Sequence, residues 1–325
     1  MIEIDGLTKR FGLVPAVSGI DLRVGKGEVL GFLGPNGAGK STTMKMITGY
    51  LAPTSGRVRV LGHDLETDTI AAQRAIGYLP EGAPAYGDMT TRQFLRFIAD
   101  ARGLAGDAAK TKIDAAVSKT ELAPVLDQTI DTLSKGFKRR VGLAQAILHD
   151  PPVLIMDEPT DGLDPNQKHS VRTLLRAMAP EKAIIVSTHL LEEVEALCTR
   201  VVIIDRGRVV ADSTPAQLLA RSRHHNAVTL LIAQELAAKA TAKLKSLGQI
   251  SSIEETPRPG GLTQITAFPK SGALLIDDIS RLANAEQWNL SAIYAEAGRL
   301  DDVFRAITTH DTARAQSRQT AQVQI

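Results

Sequence analysis

Short apolar runs alternate with helical patterns along most of the first two thirds of the chain. Runs of four or five residues between turn-forming residues are typical of buried strands. The strands predicted in this way are Val29–Leu33, Arg57–Leu61, Val153–Met156, Ala183–Ser187 and Val201–Ile204. A helix is predicted over Ser41–Thr48, and Asp205–Gly207 predicts a hairpin turn into Arg208–Val210. This alternation predicts an α/β domain.

The pattern becomes purely helical between about Thr91 and Asp150. Apolar side chains recur at helical spacing in two groups, which are Phe94, Phe97, Ile98 and Ala101, and Phe137, Val141, Ala144 and Leu148. Strands resume only after this stretch. We therefore expect a helical subdomain, at about residues 88–150, inserted between segments of the sheet.

A second pattern begins after about His224. Its predicted elements are the strand Ala227–Ile232, the helix Gln234–Leu247, a hairpin of Ile250–Glu255 with Leu262–Phe268, the helix Leu274–Ala283, the strand Trp288–Tyr294 and a short helix Asp301–Ile307. The order β-α-β-β-α-β predicts a small α+β, ferredoxin-like domain. The predicted organisation is therefore an α/β domain at residues 1–222, the ferredoxin-like domain at residues 223–308, and a disordered tail at residues 309–325 that is rich in Gln, Thr, Ala and Arg.

Composition narrows the class of protein. The chain has 325 residues, enough for two domains, and its 43% hydrophobic and 23% charged residues are ordinary for a globular protein. A net charge of +2 gives no support to nucleic-acid binding. The single cysteine, Cys198, excludes a disulfide within the chain and fits a reducing cytosol. The first residues do not resemble a signal peptide, and no segment approaches the roughly 18 apolar residues of a transmembrane helix.

A glycine-rich segment, the phosphate loop (Gly34–Thr42), follows the first predicted strand. Its residues Gly34, Pro35, Asn36, Gly37, Ala38, Gly39, Lys40, Ser41 and Thr42 match G-x-x-x-x-G-K-[ST] between a strand and a helix. Glycine lets backbone N–H groups turn inward around phosphate oxygens, because a Cβ would obstruct the turn or the ligand. Lys40 can place its ammonium on the β- and γ-phosphates, and the Ser41 hydroxyl can ligate magnesium. The helix N-terminus favours the same anion. The segment predicts nucleotide binding.

Two carboxylates, Asp157 and Glu158, follow the apolar strand Val153–Met156. Phosphoryl transfer needs a carboxylate for magnesium and a group that orients the attacking water. Asp157 is expected to hold magnesium through its shell, and Glu158 to orient the water or accept its proton. An apolar strand that ends in two acids can also be an ordinary strand end. The presence of the phosphate loop favours the catalytic interpretation.

Further motifs occur in a fixed order around these two. The segment Leu133-Ser134-Lys135-Gly136-Phe137 precedes the acidic pair, and Gly162-Leu163-Asp164-Pro165 and Ser187-Thr188-His189 follow it. This order and spacing resembles that of ABC ATPases over approximately Ile2 to Thr214. By this resemblance Leu133–Phe137 is the signature segment, Gly162–Pro165 the D-loop and His189 the switch histidine. The resemblance implies an ABC-type P-loop NTPase fold that binds ATP and Mg²⁺.

The resemblance also implies how two copies of such a domain cooperate. In this family two nucleotide domains pack head to tail around two ATP molecules. Ser134 and Gly136 of one subunit would contact the γ-phosphate bound to Lys40 of the other, and Asp164 would contact the partner across the interface. Both halves of such a composite site are present in this chain, so a homodimer is the simplest expectation.

The aromatic position of the family is occupied by Phe11, whose ring would stack on adenine with Val17 nearby. The alternative for Phe11 is simple core packing. The alternative for His189, considered without its neighbours, is a loop histidine with no catalytic role.

The chain departs from the common family pattern at three positions. Glu81 stands where the family usually has Gln, in the loop that touches magnesium and couples to the permease. Glutamate can also ligate magnesium, although it adds repulsion towards the γ-phosphate, so we expect altered magnesium dependence. Lys135 and Phe137 replace the common Gly and Gln of the signature segment. The residues expected to contact phosphate are kept, so catalytic competence is expected to remain.

A weaker resemblance concerns the C-terminal part. Ala297–Phe304 resembles the end of ATPase subunits that serve separate, exporter-type permeases, as in drug-export, gliding-motility and copper-processing systems. It implies a peripheral subunit on the cytoplasmic face of the membrane, with a permease that docks at Thr91–Asp100 and the loop of Glu81. The accessory domain can regulate, stabilise the dimer or merely pack, and the sequence does not choose between these roles.

Two other functions are weighed against a transport motor. One is a soluble ABC ATPase that acts on nucleic acid or the ribosome, but the chain lacks the paired nucleotide domains, zinc cysteines or long coiled-coil insertions usual in such proteins. The other is a catalytically silent regulatory subunit. The intact set of Lys40, Asp157, Glu158 and His189 argues against it.

Overall fold

The computed structural model describes residues 1–270 and 272–308, and the chain divides into two compact units, Met1–Ser213 and Thr214–Ile325. The sequence places the boundary later, after residue 222. The connecting residues join the second unit because they lie against its C-terminal part. A Cβ on Gly298 would lie 2.4 Å from the Leu219 carbonyl oxygen, and the Ser222 hydroxyl donates to Asp302 at 3.1 Å. The predicted disordered tail, residues 309–325, lies outside the described residues.

The strands of the first unit form two sheets. They are β1 (Ile2–Phe11), β2 (Val14–Val24), β3 (Val29–Leu33), β4 (Ser55–Val60), β5 (His63–Asp64), β6 (Ile76–Leu79), β7 (Val153–Asp157), β8 (Ala183–Thr188), β9 (Arg200–Asp205) and β10 (Arg208–Ser213). One sheet has the order β2-β1-β4-β5, and the other has the order β10-β9-β3-β8-β7-β6. Strands β6, β7, β8, β3 and β9 run parallel, whereas β10 pairs antiparallel with β9 as a hairpin.

The parallel strands are buried on both faces, which explains their continuous apolar runs. Along β7, Leu154 and Met156 pack into one core cluster and Val153 and Ile155 into another. The first cluster also contains the apolar face of the helical insertion, including Phe94. The second lies between the two sheets and the helix after the phosphate loop. Consecutive side chains of one strand therefore join the two cores.

The helices of the first unit flank the parallel sheet. They are α1 (Lys40–Ile47), α2 (Thr69–Arg74), α3 (Thr91–Ala101), α4 (Gly106–Thr120), α5 (Lys135–Ile147), α6 (Pro165–Met178) and α7 (Leu191–Leu197). Helix α3 begins with a capping box of Thr90 and Gln93, and α6 begins with Pro165 after the capping side chain of Asp164. Helices α3, α4 and α5 form the helical subdomain that the sequence predicts.

The second unit has the topology of a ferredoxin-like domain. After α8 (Pro215–Leu219) its elements are β11 (Val228–Ala233), α9 (Gln234–Lys245), β12 (Ile250–Arg258), β13 (Leu262–Pro269), α10 (Ile276–Ala285) and β14 (Ala292–Ala295). Residues 300–308 are helical. The sheet order β12-β13-β11-β14 is antiparallel throughout, as in a split β-α-β arrangement. The predicted fold class is thus confirmed. In the part of the chain that the structure describes, no helix is long and apolar enough to cross a membrane.

Candidate nucleotide-binding site

The candidate site lies at one edge of the parallel sheet. The phosphate loop follows β3, Glu81 follows β6, Glu158 follows β7 and His189 follows β8. The ends of these strands are in register, with Leu33 opposite Thr188 and Asp157 opposite Ser187. Loops at the carboxyl ends of parallel strands are the usual ligand-binding position of open α/β sheets. Residues far apart in sequence are therefore brought to one edge.

The phosphate loop is held in a conformation that only glycine adopts easily. Gly37 and Gly39 have φ angles of 78° and 103°. A Cβ on Gly39 would lie 2.5 Å from the backbone oxygen of Ala16, and one on Gly34 would lie 2.4 Å from that of Ile204. The Lys40 ammonium donates to the carbonyl oxygens of Gly34 at 2.7 Å and Pro35 at 3.1 Å. The loop therefore curves around its own lysine, at the start of α1.

Burial and three carboxylates act on the charge of the phosphate-loop lysine. Burial lowers the pKa of Lys40, while the negative charges of Glu158, Asp157 and Glu81 act in the opposite direction. Asp157 and Glu158 at the end of β7 and Glu81 after β6 lie at the same sheet edge as the phosphate loop after β3, so their charges act on this ammonium. The phosphate loop and its predicted acidic partners therefore form one electrostatic site.

Asp157 has one free coordinating atom. Its Oδ1 accepts a short hydrogen bond from the Ser187 hydroxyl. Its Oδ2 is buried and has no hydrogen-bond partner among the described residues. A buried carboxylate oxygen without a partner is costly unless a cation or a bound molecule satisfies it. Hard oxygen donors such as this carboxylate and the Ser41 hydroxyl are those that Mg²⁺ prefers, so the residues present fit a magnesium ion.

Glu158 is held in an unusual backbone conformation and touches the switch histidine. Its φ angle is 55°, in the left-handed region, which is uncommon for a residue with a Cβ. Its N–H lies 3.1 Å from the Ser187 hydroxyl oxygen and 3.2 Å from the Ser187 carbonyl oxygen. Its Oε2 lies 2.7 Å from Nδ1 of His189. The Glu158 side chain is 16% exposed and that of His189 is 50% exposed, so the pair opens towards solvent.

A buried arginine on α5 connects the acidic strand end to the loop of Glu81. Arg139 donates to the carbonyl oxygens of Pro80 at 3.3 Å and Asp157 at 3.1 Å, and makes a further short bond to that of Glu158. Burial lowers the pKa of the Arg139 guanidinium. Sequence reasoning missed this residue, which stands in the basic run Lys138–Arg140. Its signal is the spacing to Leu143 and Ala146, which places Arg139 on a buried helical face.

The signature segment and the D-loop lie beside one another. Ser134 is exposed and caps α5, because its side chain accepts a hydrogen bond from the Phe137 N–H at 3.3 Å. Gly136 packs so closely on α6 that a Cβ would lie 2.4 Å from Gln167 Oε1. Asp164 caps α6 by accepting from the Gln167 N–H at 2.9 Å. Lys135 forms an ion pair with Asp161 at 3.1 Å.

The two residues predicted to hold adenine differ in exposure. Phe11 is 53% exposed, and the ammonium of Lys9 lies 5.3 Å from its ring centroid. Val17 is fully buried and lies behind the phosphate loop, where a Cβ on Gly39 would be 3.4 Å from its Cγ2. Phe11 therefore has an open ring, whereas Val17 supports the loop from inside the core. The roles predicted for the site residues stay predictions.

Comparisons with known proteins agree with this geometry. The family model described as ABC transporter matches residues 17–161. The probable multidrug ABC transporter ATP-binding protein YbhF of Escherichia coli (strain K12) is 39% identical over 223 residues, which is 68% of this chain and 38% of that protein. The Nod factor export ATP-binding protein I of Paraburkholderia xenovorans (strain LB400) is 37% identical over 220 residues, 67% of this chain and 72% of that protein.

A solved structure of an ATP-binding subunit of an ABC transporter has a TM-score of 0.63 and 31% identity, and the match covers 67% of this chain and 91% of that one. The chain thus spans well under half the length of the YbhF relative but most of the length of the Nod factor relative. The family resemblance of the motifs is confirmed by these matches. The chain belongs to the family of ABC transporter ATP-binding proteins.

Proposed function

We propose that this chain binds and hydrolyses Mg-ATP, dimerises around two ATP molecules and drives a separate membrane permease, for export. The observation that carries the proposal is the pairing of Glu158 with His189, at 2.7 Å, on the sheet edge that also holds the phosphate loop and Asp157. A carboxylate in contact with an imidazole, beside a cradle for phosphate, is suited to activating water for hydrolysis of a phosphoanhydride.

Different groups of the chain bind the phosphates, hold magnesium and accept the proton of water. The backbone N–H groups of the phosphate loop and the Lys40 ammonium bind the phosphates, so Lys40 exchanges its carbonyl partners for phosphate oxygens. Ser41, Asp157 and Glu81 would hold magnesium, which would neutralise charge on the phosphates. Glu158 accepts a proton from the attacking water at its carboxylate. His189 holds that carboxylate in place and contacts the γ-phosphate.

The second half of each site comes from a partner copy. Within the described residues, no hydrogen bond joins Ser134 or Gly136 to the phosphate loop of the same chain. Both stand at the N-terminus of α5, where N–H groups and the helix dipole attract an anion. We infer that this end closes on the nucleotide of a second copy, with Asp164 at the interface. ATP would then lie between the two chains and stabilise the dimer.

A groove between the sheet and the helical subdomain is where the permease would dock. It encloses about 910 Å³ and is lined by Tyr50, Ile70, Tyr86 and Phe97, which are 75%, 63%, 54% and 42% exposed. The Tyr78 hydroxyl, buried in the same wall, has no partner among the described residues. A groove lined by exposed aromatic and aliphatic side chains together with polar ones fits an amphipathic helix. The loop of Glu81 leads directly from this wall to the nucleotide site.

Docking on a permease distinguishes a transport subunit from a non-transport ABC ATPase. The chain would be expressed with and without its permease, and its distribution between membrane and supernatant would be measured. We expect membrane association only with the permease, and its loss in Phe97→Glu. Leu274→Glu serves as the matched control, since Leu274 is 72% exposed and belongs to the second unit. The transport proposal would be overturned if the chain bound ribosomes or nucleic acid to the same extent with and without the permease and showed no permease-dependent membrane association.

A further inference from the structure

Glu193, in the first turn of α7, is a buried carboxylate that no motif of the site includes. The residue is 2% exposed. Its Oε2 accepts a hydrogen bond of 2.9 Å from the Thr188 hydroxyl, and its Oε1 accepts a shorter one from the Thr160 hydroxyl. Thr188 immediately precedes His189, and Thr160 follows Glu158 by two residues. One side chain is therefore hydrogen-bonded to both loops that carry the candidate catalytic pair.

The geometry around Thr188 fixes the direction of these bonds. The Thr188 hydroxyl oxygen accepts from the Leu190 N–H at 3.0 Å, so its own proton points to Glu193. The Glu193 N–H in turn donates to the Leu190 carbonyl oxygen at 3.1 Å. Glu193 is thus bonded to the residues on both sides of His189, to Thr188 through its side chain and to Leu190 through its backbone.

Charge explains why the acceptor is a carboxylate. A buried carboxylate is costly unless hydrogen bonds and a cation compensate it. Two hydroxyl donors compensate Glu193, and Nη2 of Arg172 on α6 lies 4.0 Å from its Oε1. A glutamine offers only one acceptor oxygen, so it can accept from only one of the two hydroxyls, and its NH2 group would have to donate to the other.

We propose that Glu193 is a positioning residue, which holds Thr160, two residues before the D-loop, and the turn of His189 in one fixed relation to Glu158. A displacement of the D-loop by a partner copy is then transmitted through Thr160 and Glu193 to His189. This inference rests on the proposed function of the site in hydrolysis, because it assigns the hydrogen bonds a role in placing the catalytic pair.

The test uses the full chain with four variants, Glu193→Gln, Glu193→Ala, Thr188→Val and the control Glu195→Gln. Glu195 lies on the same helix and is exposed. The imidazole signals of His189, assigned by their loss in His189→Gln, are followed by proton–nitrogen NMR without nucleotide. The kcat and KM for ATP are measured on the permease complex, and the thermal midpoint is recorded for each variant.

We expect the His189 signals to move in both Glu193 variants and in Thr188→Val, and to stay in place in Glu195→Gln. We expect kcat to fall roughly 10- to 100-fold, since small misplacements of catalytic groups have effects of this size. KM should change less than about two-fold, because the Glu193 carboxylate is buried and bonded to the Thr160 and Thr188 hydroxyls rather than exposed to a ligand. Glu193→Gln should lie between wild type and Glu193→Ala.

Unmoved His189 signals in Thr188→Val and Glu193→Gln would overturn the proposal, as would a kcat within about two-fold of the control despite a lower thermal midpoint. If Glu193→Ala does not fold, the results for Glu193→Gln and Thr188→Val decide whether Glu193 positions His189. Absence of hydrolysis by the wild type would count against the proposed function alone, since the NMR measurement needs no ATP and still decides whether Glu193 positions His189.

Discussion

A half-buried histidine, His149, which follows α5 and bonds to the first residue of β6, predicts how the stability of the first unit depends on pH. Nε2 of His149 lies 3.2 Å from the Ile76 carbonyl oxygen, and its Nδ1 is buried without a partner among the described residues. Burial, aided by the positive charge of Arg102, lowers the pKa of His149 from 6.5 to about 4. The folded chain therefore keeps this ring neutral at a pH where the unfolded chain protonates it.

The direction in which stability changes with pH follows from proton linkage. Between pH 6.5 and about pH 4 the unfolded state binds more protons at His149 than the folded state, so stability rises with pH there and is lost on acidification. At ~1.4 kcal/mol per pKa unit, the full window corresponds to roughly 3 kcal/mol, of which about 2 kcal/mol falls between pH 7 and pH 5. Solvent reaches part of the ring and reduces this to roughly 1–2 kcal/mol.

The measurement is guanidinium unfolding, followed by far-UV circular dichroism at pH 7, 6 and 5. His149→Gln keeps a donor for the Ile76 carbonyl but does not titrate. Wild type should lose about 1–2 kcal/mol more than this variant between pH 7 and pH 5. His169→Gln, at an exposed position, should behave as wild type. Parallel pH profiles for wild type and His149→Gln would refute the reasoning.

Three further substitutions test the candidate site itself. Arg139→Met, which removes donors to three carbonyl oxygens, should cost roughly 2–4 kcal/mol of unfolding free energy and lower kcat, unlike the control Lys138→Met. Gly39→Ala should abolish ATP binding in a nucleotide titration, because its Cβ would lie 2.5 Å from backbone, whereas Gly37→Ala meets nothing within 4 Å and should only weaken it. Glu81→Gln should change the magnesium dependence of hydrolysis, and an unchanged magnesium titration would contradict the role given to Glu81.

Apolar patterns predict four of the five parallel strands, which are buried on both faces, whereas β6 (Ile76–Leu79) is equally buried but carries no strand prediction. Val29–Leu33 is predicted to the residue, and Val153–Met156 is one residue short of the observed strand. Residues 2–24 carry no strand prediction, although β1 and β2 pair along this stretch. Their pairing has register shifts after Ile4 and Leu7, which break the alternation that identifies a half-buried strand.

Motif spacing predicts which residues meet at the sheet edge, since each motif follows a parallel strand. It does not reveal Arg139 or Glu193, whose partners are other segments of the chain. Arg139 reaches backbone 18 residues away, and Glu193 reaches Thr160 across 33 residues. The helical spacing of Arg139 indicates a buried face but not its bonding partners, and both residues stand beside solvated charges of the same type in the sequence.

The most direct test of the account is hydrolysis of ATP by wild type beside Glu158→Gln, with the oligomeric state followed in Mg-ATP. The account predicts that wild type, with its permease, hydrolyses ATP. It predicts that Glu158→Gln binds ATP but does not turn it over, and is trapped as an ATP-loaded dimer. Hydrolysis by Glu158→Gln at the wild-type rate, or a variant that stays monomeric at saturating Mg-ATP, would contradict the central claim.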